Sequence, residues 1–562
     1  MVSRWLLVAA AACCASAIAQ PRAAQASATA YIVQSHGSQS AARLVKRVGG
    51  RVTHELPIIR GVSAMLTPAQ VARLRRTGTV ELFADAAVVT QDDSSESSSS
   101  STSSSSALLR SLISPGTSSA GVPDQAARVE IGADQLLAQG LDGSGITVAV
   151  LDTGLASSWR WLMESSSGVS VPLVTYSADG SQFQDYSGHG THVTSIIVAP
   201  YRTPDGQPMG MAPKAQLVSV KAFPGNGTST YATVLNGLNW IYVNRAAYNI
   251  RVLNLSFAAT PQSYYWNDPI DQAVMKLWQA GVVVVASAGN WGPTAQSVGV
   301  PGNVPYIITV GSMTDNYTPA NPLNYKLTSF SSTGPTYEGF VKPDILAPGG
   351  HILGNMAHDR ALLAQLHPEF QVGGVDNLFI MSGTSQATAV VSGSVALMLE
   401  ANPTLTPDQV KCKLIASAHP AVNATGQLAY SVFQQGAGMI NVHDAVYSQS
   451  NGCANVGLNI ASDLAGTAHF GGPARQATDG TYYVVNQQGQ RISQQGYLWN
   501  NSYAASTGYL WNSGYLWNSG YLWNSGYLWN NGYLWNSGYL WNQSHTTSTA
   551  STAAINDWVD QQ

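Results

Sequence analysis

Charged side chains are scarce in this chain, and the two signs nearly balance. Asp, Glu, Lys and Arg make up 10% of the 562 residues, against about 25% in ordinary soluble proteins. The formal net charge of −4 leaves no basic excess for binding nucleic acid or an anionic membrane. The composition therefore excludes nucleic-acid-binding classes that depend on a basic surface, and polarity comes instead from Ser, Thr, Asn, Gln and Gly.

Cysteine is nearly absent as well, with only four in the chain. Cys13 and Cys14 lie in an N-terminal apolar stretch that is too short to span a bilayer and ends in Ala-Ile-Ala. This pattern is typical of a secretory signal, here over residues 1–19, which is removed on export. Its removal leaves Cys412 and Cys453, and two cysteines in an exported chain predict one disulfide. We therefore expect a secreted or cell-surface protein.

Three short motifs carry residue types that act together in nucleophilic catalysis. VAVLDTG indicates an apolar strand ending on Asp152, SGHGTHV holds His189 between glycines, and SGTSQATAVVSG starts a buried helix at Ser385. A serine hydroxyl becomes a nucleophile when an imidazole takes its proton, and a buried carboxylate holds that imidazole in the right tautomer. Singly, each residue fits a strand-end cap, a core histidine or a helix start. Together they predict a catalytic triad.

The motifs and their order resemble those of the subtilisin-like serine proteases over residues 124–448. The resemblance implies a three-layer α/β domain with a mostly parallel sheet, which acts as a serine endopeptidase through an acyl-enzyme. Asp152 would orient His189, His189 would act as general base and then acid, and Ser385 would be the nucleophile. Asn290, which follows VVVVASAG, would donate its amide to the oxyanion. His192, the second histidine of the SGHGTHV motif, is expected to be structural.

The same resemblance implies where protein or peptide substrates bind. The segments around Ser256 and over 218–230 would flank a bound peptide, which would pair with them as an added strand. Gly289 and Gly299 would border the pocket for the residue before the scissile bond. The pocket motifs contain no carboxylate, so we expect a preference for large apolar or aromatic residues. No cofactor and no metal site are predicted. The calcium loop of the family is replaced by APYRTPDGQPMGM, in which Asp205 alone does not support a calcium site.

Residues 29–90 predict a separate β-α-β-β-α-β unit that resembles the inhibitor-type propeptide of the family. It contains eight Lys/Arg and three Asp/Glu, whereas 124–448 contains 13 and 20, so opposite charges favour docking. We expect the unit to inhibit the cleft intramolecularly and then be cleaved off; the alternative is an independent α+β domain. Residues 91–123 form a Ser-rich linker. Self-cleavage is expected between about Val88 and Asp93, or within the linker.

The C-terminal region, 449–562, carries seven copies of GYLWN within 496–543, mostly at a spacing of six. An even spacing keeps Tyr and Trp on one face of a strand, and Asn-Ser-Gly favours turns. A small β-solenoid and a low-complexity tail both remain open. The aromatic face of the repeats would suit binding to a cell surface or to a polysaccharide. The alternative function is therefore a surface adhesion or binding protein; an inactive protease homologue is a second alternative, which the complete triad argues against.

Overall fold

The computed structural model describes residues 27–85, 126–157, 173–200, 206–357, 359–372, 377–423, 427–486, 489–492 and 552–554. The predicted signal (1–19), the Ser-rich linker (91–123), Asp205 and the GYLWN repeats (496–543) lie outside these residues. Among the residues described, no helix is both long and apolar enough to cross a membrane.

The N-terminal unit follows the predicted β-α-β-β-α-β order. Its elements are β1 (Thr29–Ser35), α1 (Ala41–Arg47), β2 (Arg51–Leu56), β3 (Gly61–Leu66), α2 (Pro68–Arg75) and β4 (Val80–Ala84). The strands form an antiparallel sheet in the order β2-β3-β1-β4. Thr67 and Gln70 form a capping box that starts α2, with Pro68 at its first position. The unit has a small apolar core of its own, including Val33, Leu44 and Leu66.

The strands of the main domain are β5 (Thr147–Asp152), β6 (Leu173–Ser177), β7 (Gln216–Lys221), β8 (Thr228–Ser229), β9 (Ile250–Leu255), β10 (Phe257–Ala259), β11 (Val283–Ser287), β12 (Ile308–Thr314), β13 (Lys326–Leu327), β14 (Ile345–Pro348), β15 (Ile352–Asn355) and β16 (Leu378–Met381). Eight of them form one sheet in the order β13-β12-β11-β9-β5-β7-β6, with β14 beside β12. Every pairing in this sheet is parallel except that of β12 with β13, so the prediction of a mostly parallel sheet is confirmed. Its central strands are buried apolar runs, as expected for a parallel sheet covered on both faces.

Two pairs of helices pack on this sheet. The helices are α3 (Ala126–Glu130), α4 (Ala133–Ala138), α5 (His189–Val198), α6 (Tyr231–Asn244), α7 (Pro269–Gln279), α8 (Leu362–Leu366), α9 (Thr384–Ala401), α10 (Pro407–Ser417), α11 (Val432–Gln435), α12 (Val442–Tyr447) and α13 (Ile460–Ala465). Helix α5 lies against α9, and α6 lies against α7. Thr230 caps α6 and Asp268 caps α7, each through a side-chain oxygen that accepts from the first turn.

The C-terminal part adds two small sheets and one cross-link. Strands β17 (Ala474–Gln476), β18 (Tyr482–Val485) and β19 (Arg491–Ile492) form an antiparallel sheet. The predicted disulfide is present and joins Cys412 in α10 to Cys453. The last described strand, β20 (Thr552–Ala554), lies between β8 and β10 in a three-stranded sheet.

Candidate active site

Asp152 and His189 meet at the end of a strand and the start of a helix. Asp152 is the last residue of β5, and His189 is the first residue of α5. The Nδ1 atom of His189 lies 2.7 Å from Oδ1 of Asp152, and both side chains are buried. The same carboxylate oxygen accepts a hydrogen bond from the backbone N–H of Thr153 at 2.7 Å. Such a carboxylate fixes the tautomer and the orientation of the ring.

A second buried carboxylate, Asp185, holds the segment that carries His189. Its Oδ1 accepts from Thr153 Oγ1 at 2.9 Å and from the backbone N–H groups of Ser187 and Gly188 at 3.0 and 2.7 Å. Its Oδ2 accepts from the N–H and the hydroxyl of Thr191 at 2.8 and 2.6 Å. The Asp185 carboxylate therefore links the end of β5 to the start of α5 and restrains both partners of the Asp152–His189 pair.

Gly190 allows these two segments to approach closely. Its N–H donates to Thr153 Oγ1 at 2.7 Å. A Cβ atom at this position would lie 2.5 Å from the carbonyl oxygen of Gly154, which is too close for any side chain. The glycine after His189 is therefore required by the approach of α5 to the β5 end.

Ser385 is joined to the segment after β9 by two reciprocal hydrogen bonds. It is the second residue of α9. Its hydroxyl donates to the carbonyl of Ser256 at 3.2 Å, and the Ser256 hydroxyl donates to the carbonyl of Ser385 at 3.0 Å. Asn254 Nδ2 in turn donates to Ser256 Oγ at 2.9 Å. Ser256 thus lies directly beside the predicted nucleophile.

Asn290 is held by the residue that precedes Ser385. Its Oδ1 accepts from the backbone N–H of Thr384 at 3.0 Å and from the Thr384 hydroxyl at 2.8 Å. These two bonds identify the oxygen end of the carboxamide, so Nδ2 is the end that donates. Asp152 ends β5, Ser256 follows β9, and Asn290 lies three residues after β11. These strands are parallel neighbours, so their carboxyl ends share one edge of the sheet. Ligand sites of open α/β sheets form at that edge.

The two predicted pocket glycines lie in crowded surroundings. Gly289 has φ +116°, and a Cβ there would lie 2.7 Å from Ser332 Oγ. At Gly299 a Cβ would lie 2.6 Å from the Trp291 ring, 2.8 Å from the Ala259 carbonyl oxygen and 2.9 Å from Ala258 Cβ. The space at Gly299 is therefore bordered by an indole ring and by strand β10.

His192 is buried and plays a structural part. Its Nε2 lies 3.2 Å from the carbonyl oxygen of Phe379 in β16. Burial lowers the pKa of His192 to about 3, so the ring is neutral at ordinary pH. A neutral ring that donates to Phe379 O links α5 to β16.

Two residues of this arrangement were not identified from the sequence, Asp185 and Thr384. Each had a local signal: Asp185 stands four residues before His189, and Thr384 stands directly before Ser385. Neither spacing reveals that the side chain binds a partner far along the chain. Among the residues that the structure describes, no group of three or more His, Cys, Asp or Glu is arranged to hold a metal ion.

The fold and this arrangement define a class of serine hydrolase built on a parallel sheet, and comparison with known proteins agrees. Residues 143–438, more than half of the chain, match the Subtilase family. The chain is 33% identical to subtilisin E of Bacillus subtilis over 318 residues, covering 56% of this chain and 69% of that protein. The chain therefore belongs to the subtilase family of subtilisin-like serine proteases.

Two further relatives are similar over only part of their length. Serine protease AprX of Bacillus subtilis is 37% identical over 278 residues, which cover 49% of this chain and 61% of that protein. The crystal structure of fervidolysin from Fervidobacterium pennivorans, a keratinolytic enzyme, superposes with a TM-score of 0.54 at 22% identity. That superposition covers 77% of this chain and 63% of fervidolysin and bears on the fold alone.

Proposed function

We propose that this chain is a secreted serine endopeptidase that hydrolyses peptide bonds in proteins. The observation that carries the proposal is the buried 2.7 Å contact between Asp152 and His189. It lies at the same edge of the sheet as Ser256, which accepts a hydrogen bond from Ser385. Asp152 holds the imidazole, and His189 removes the proton from Ser385 Oγ as that oxygen attacks the carbonyl carbon. His189 then donates the proton to the leaving amine, and water hydrolyses the acyl-enzyme by the reverse sequence.

Asn290 and the N–H of Ser385 stabilise the oxyanion that forms in this step. The bonds from Thr384 to Asn290 Oδ1 support this role because they fix which end of the amide donates. The position of Ser385 in the first turn of α9 adds the positive end of the helix. Asn290→Ala should lower kcat by about 10²–10³ with little change in KM, since the donor acts on charge that exists only in the transition state.

The N-terminal unit, with its boundary near residue 90, is proposed to be the inhibitory propeptide. Its support is a docked interface on α6 and α7. Gln34 Nε2 donates to Gln272 Oε1 at 2.7 Å, and the Ile58 N–H donates to Asn239 Oδ1 at 3.2 Å. Ile32, Leu56, Ile58 and Ile59 join the apolar core of the main domain.

The end of this unit supports self-processing near the cleft. Asp85, which follows β4, accepts a hydrogen bond from the N–H of Ala232 at the start of α6, three residues after β8. The chain after Asp85 therefore starts beside the strands that would bind a substrate. We propose cleavage between about Val88 and Asp93 or within the Ser-rich linker.

The decisive experiment compares the secreted wild type with Ser385→Ala, by intact mass and by casein cleavage. Ser394→Ala is the matched control, because Ser394 lies in the same helix, is buried, and donates its hydroxyl to the Val390 carbonyl of that helix. Wild type and control should lose the N-terminal unit, begin within 89–124 and cleave casein. Ser385→Ala should stay full length and inert; cleavage of casein by this variant would refute the proposal.

A further inference from the structure

The cleft beside Ser385 already contains a strand of the same chain. Thr552–Ala554 forms β20 and pairs antiparallel with both β8 and β10. Ala554 lies opposite Phe257, Ala553 opposite both Ala258 and Thr228, and Thr552 opposite Ala259 and Ser229. β20 is therefore the central strand, and its neighbours are the two segments that would hold a substrate.

The direction of β20 matches that of a peptide about to be cut. Successive residues of β20 pair with β10 in the order Ala259, Ala258, Phe257, which leads toward Ser256. The Ser256 carbonyl oxygen accepts the hydrogen bond from the Ser385 hydroxyl, at 3.2 Å. The strand thus runs with its carboxyl end toward the nucleophile, as the acyl side of a substrate must.

We propose that Thr552–Ala554 is an intramolecular competitor that occupies the substrate cleft and lowers the enzyme's apparent affinity for peptides. The proposal rests on the proposed function, because it treats β8 and β10 as the substrate-binding strands. Main-chain pairing accepts many sequences, so a strand of small residues suffices. The segment and a substrate cannot pair with β8 and β10 at the same time.

Chain length permits this contact, and tethering makes it effective. Residues 493–551 connect β19 to β20, and 59 residues have a contour length of roughly 200 Å. A tethered segment reaches an effective concentration of up to the order of 1 mM, so it competes with a peptide if its own dissociation constant is about 0.1–1 mM. We therefore expect a modest effect, in which the apparent KM is raised about two- to tenfold and kcat is unchanged.

The kinetic test compares two mature enzymes, one that retains the residues up to Gln562 and one that ends at Ser551. The substrate is a short chromogenic peptide. Truncation should lower KM about two- to tenfold. Ala553→Pro in the full chain should do the same, because proline lacks the N–H that a central strand needs. Gln561→Pro, outside the strand, is the matched control and should keep the higher KM. Equal KM values for full-length and truncated enzymes would overturn the proposal.

A second measurement does not depend on activity. In mature protein freed of the N-terminal unit, backbone hydrogen exchange at Thr228–Ser229 and Phe257–Ala259 should be slower in the chain that retains Thr552–Ala554 than in the chain ending at Ser551. Slower exchange with no peptidase activity in any variant would reject the endopeptidase function but keep the bound segment. Identical exchange would reject the bound segment, whatever the activity.

Discussion

The two halves of the site are held in different ways, one by buried side chains and the other by backbone pairing. The half with Asp152 and His189 is held by buried side chains, above all by the Asp185 carboxylate and its five accepted hydrogen bonds. The half that would bind substrate consists of two short strands, β8 and β10, whose backbones pair with β20. Single substitutions should therefore damage the first half severely, whereas the second tolerates many sequences and accepts even its own chain.

Among changes outside the proposed catalytic residues, Asp185→Asn in the side-chain half should have the largest effect. The amide replaces one acceptor oxygen by a donor, which leaves either the Thr191 groups or the loop N–H groups without an acceptor. Each buried group left unpaired costs about 1–3 kcal/mol of the free energy of unfolding. Loss of the restraint on His189 should lower kcat about 10²-fold.

Asp179→Asn is the matched control for this change. Asp179 also accepts from neighbouring Ser177 and Ser181, but it is partly exposed and its bonds are local. Peptide hydrolysis and urea unfolding of both variants, the latter in a Ser385→Ala background, provide the comparison. An Asp185→Asn enzyme with normal kcat would show that the carboxylate does not position His189.

A smaller effect should follow from Gly299→Ala in the substrate half. The added methyl group would press on the Trp291 ring and on the Ala259 carbonyl, so the pocket should narrow. One methyl group in an apolar pocket is worth about tenfold in kcat/KM. Cleavage after Phe or Tyr should fall roughly tenfold, while cleavage after Ala should change less. A panel of peptides that differ only at this residue measures both; an equal loss for all of them would assign the effect to β10 instead.

The last change concerns the pH dependence of stability rather than catalysis. His192 has a pKa of about 3 in the folded protein but about 6.5 when unfolded, so between these values only the unfolded chain takes up the proton. The free energy of unfolding should therefore fall by about 1.4 kcal/mol per pH unit below pH 6.5 from this residue alone. His192→Gln should make this slope shallower, although it lowers stability at pH 7.

Urea unfolding at pH 4.5–7 in the Ser385→Ala background measures that slope. His419→Gln, which removes a histidine from the surface, is the control. An unaltered slope in His192→Gln would mean that another group dominates acid unfolding. Main-chain pairing in β8, β10 and β20 contains no titrating group, so occupancy of the cleft should not follow this pH dependence.

The parts of the site that were predictable are those set by local sequence. Asp152 ends an apolar strand, His189 starts a helix, and Ser385 lies in the first turn of another, as predicted. The mostly parallel sheet and the Cys412–Cys453 disulfide were also predicted correctly. In each case the signal lies in a short motif or in a count of residues.

The parts that were not predictable depend on contacts between distant segments. Asp185 reaches back to Thr153, and Thr384 binds Asn290, which precedes it by 94 positions. The place of Thr552–Ala554 is the extreme case, since STASTAA has the composition of a linker and its partners lie some 300 residues earlier. A three-residue strand has no periodicity that marks it, and only its pairing defines it.

The position of β20 also matters for anyone who produces this protein. A purification tag fused directly after Ala554 would start close to the reactive centre, because Ala554 pairs with Phe257, the neighbour of Ser256. Such a tag would be exposed to self-clipping, and a bulky fusion partner could pull the last strand out of place. Recombinant enzyme tagged at this end would then differ in turnover from the untagged form for reasons unrelated to its folding.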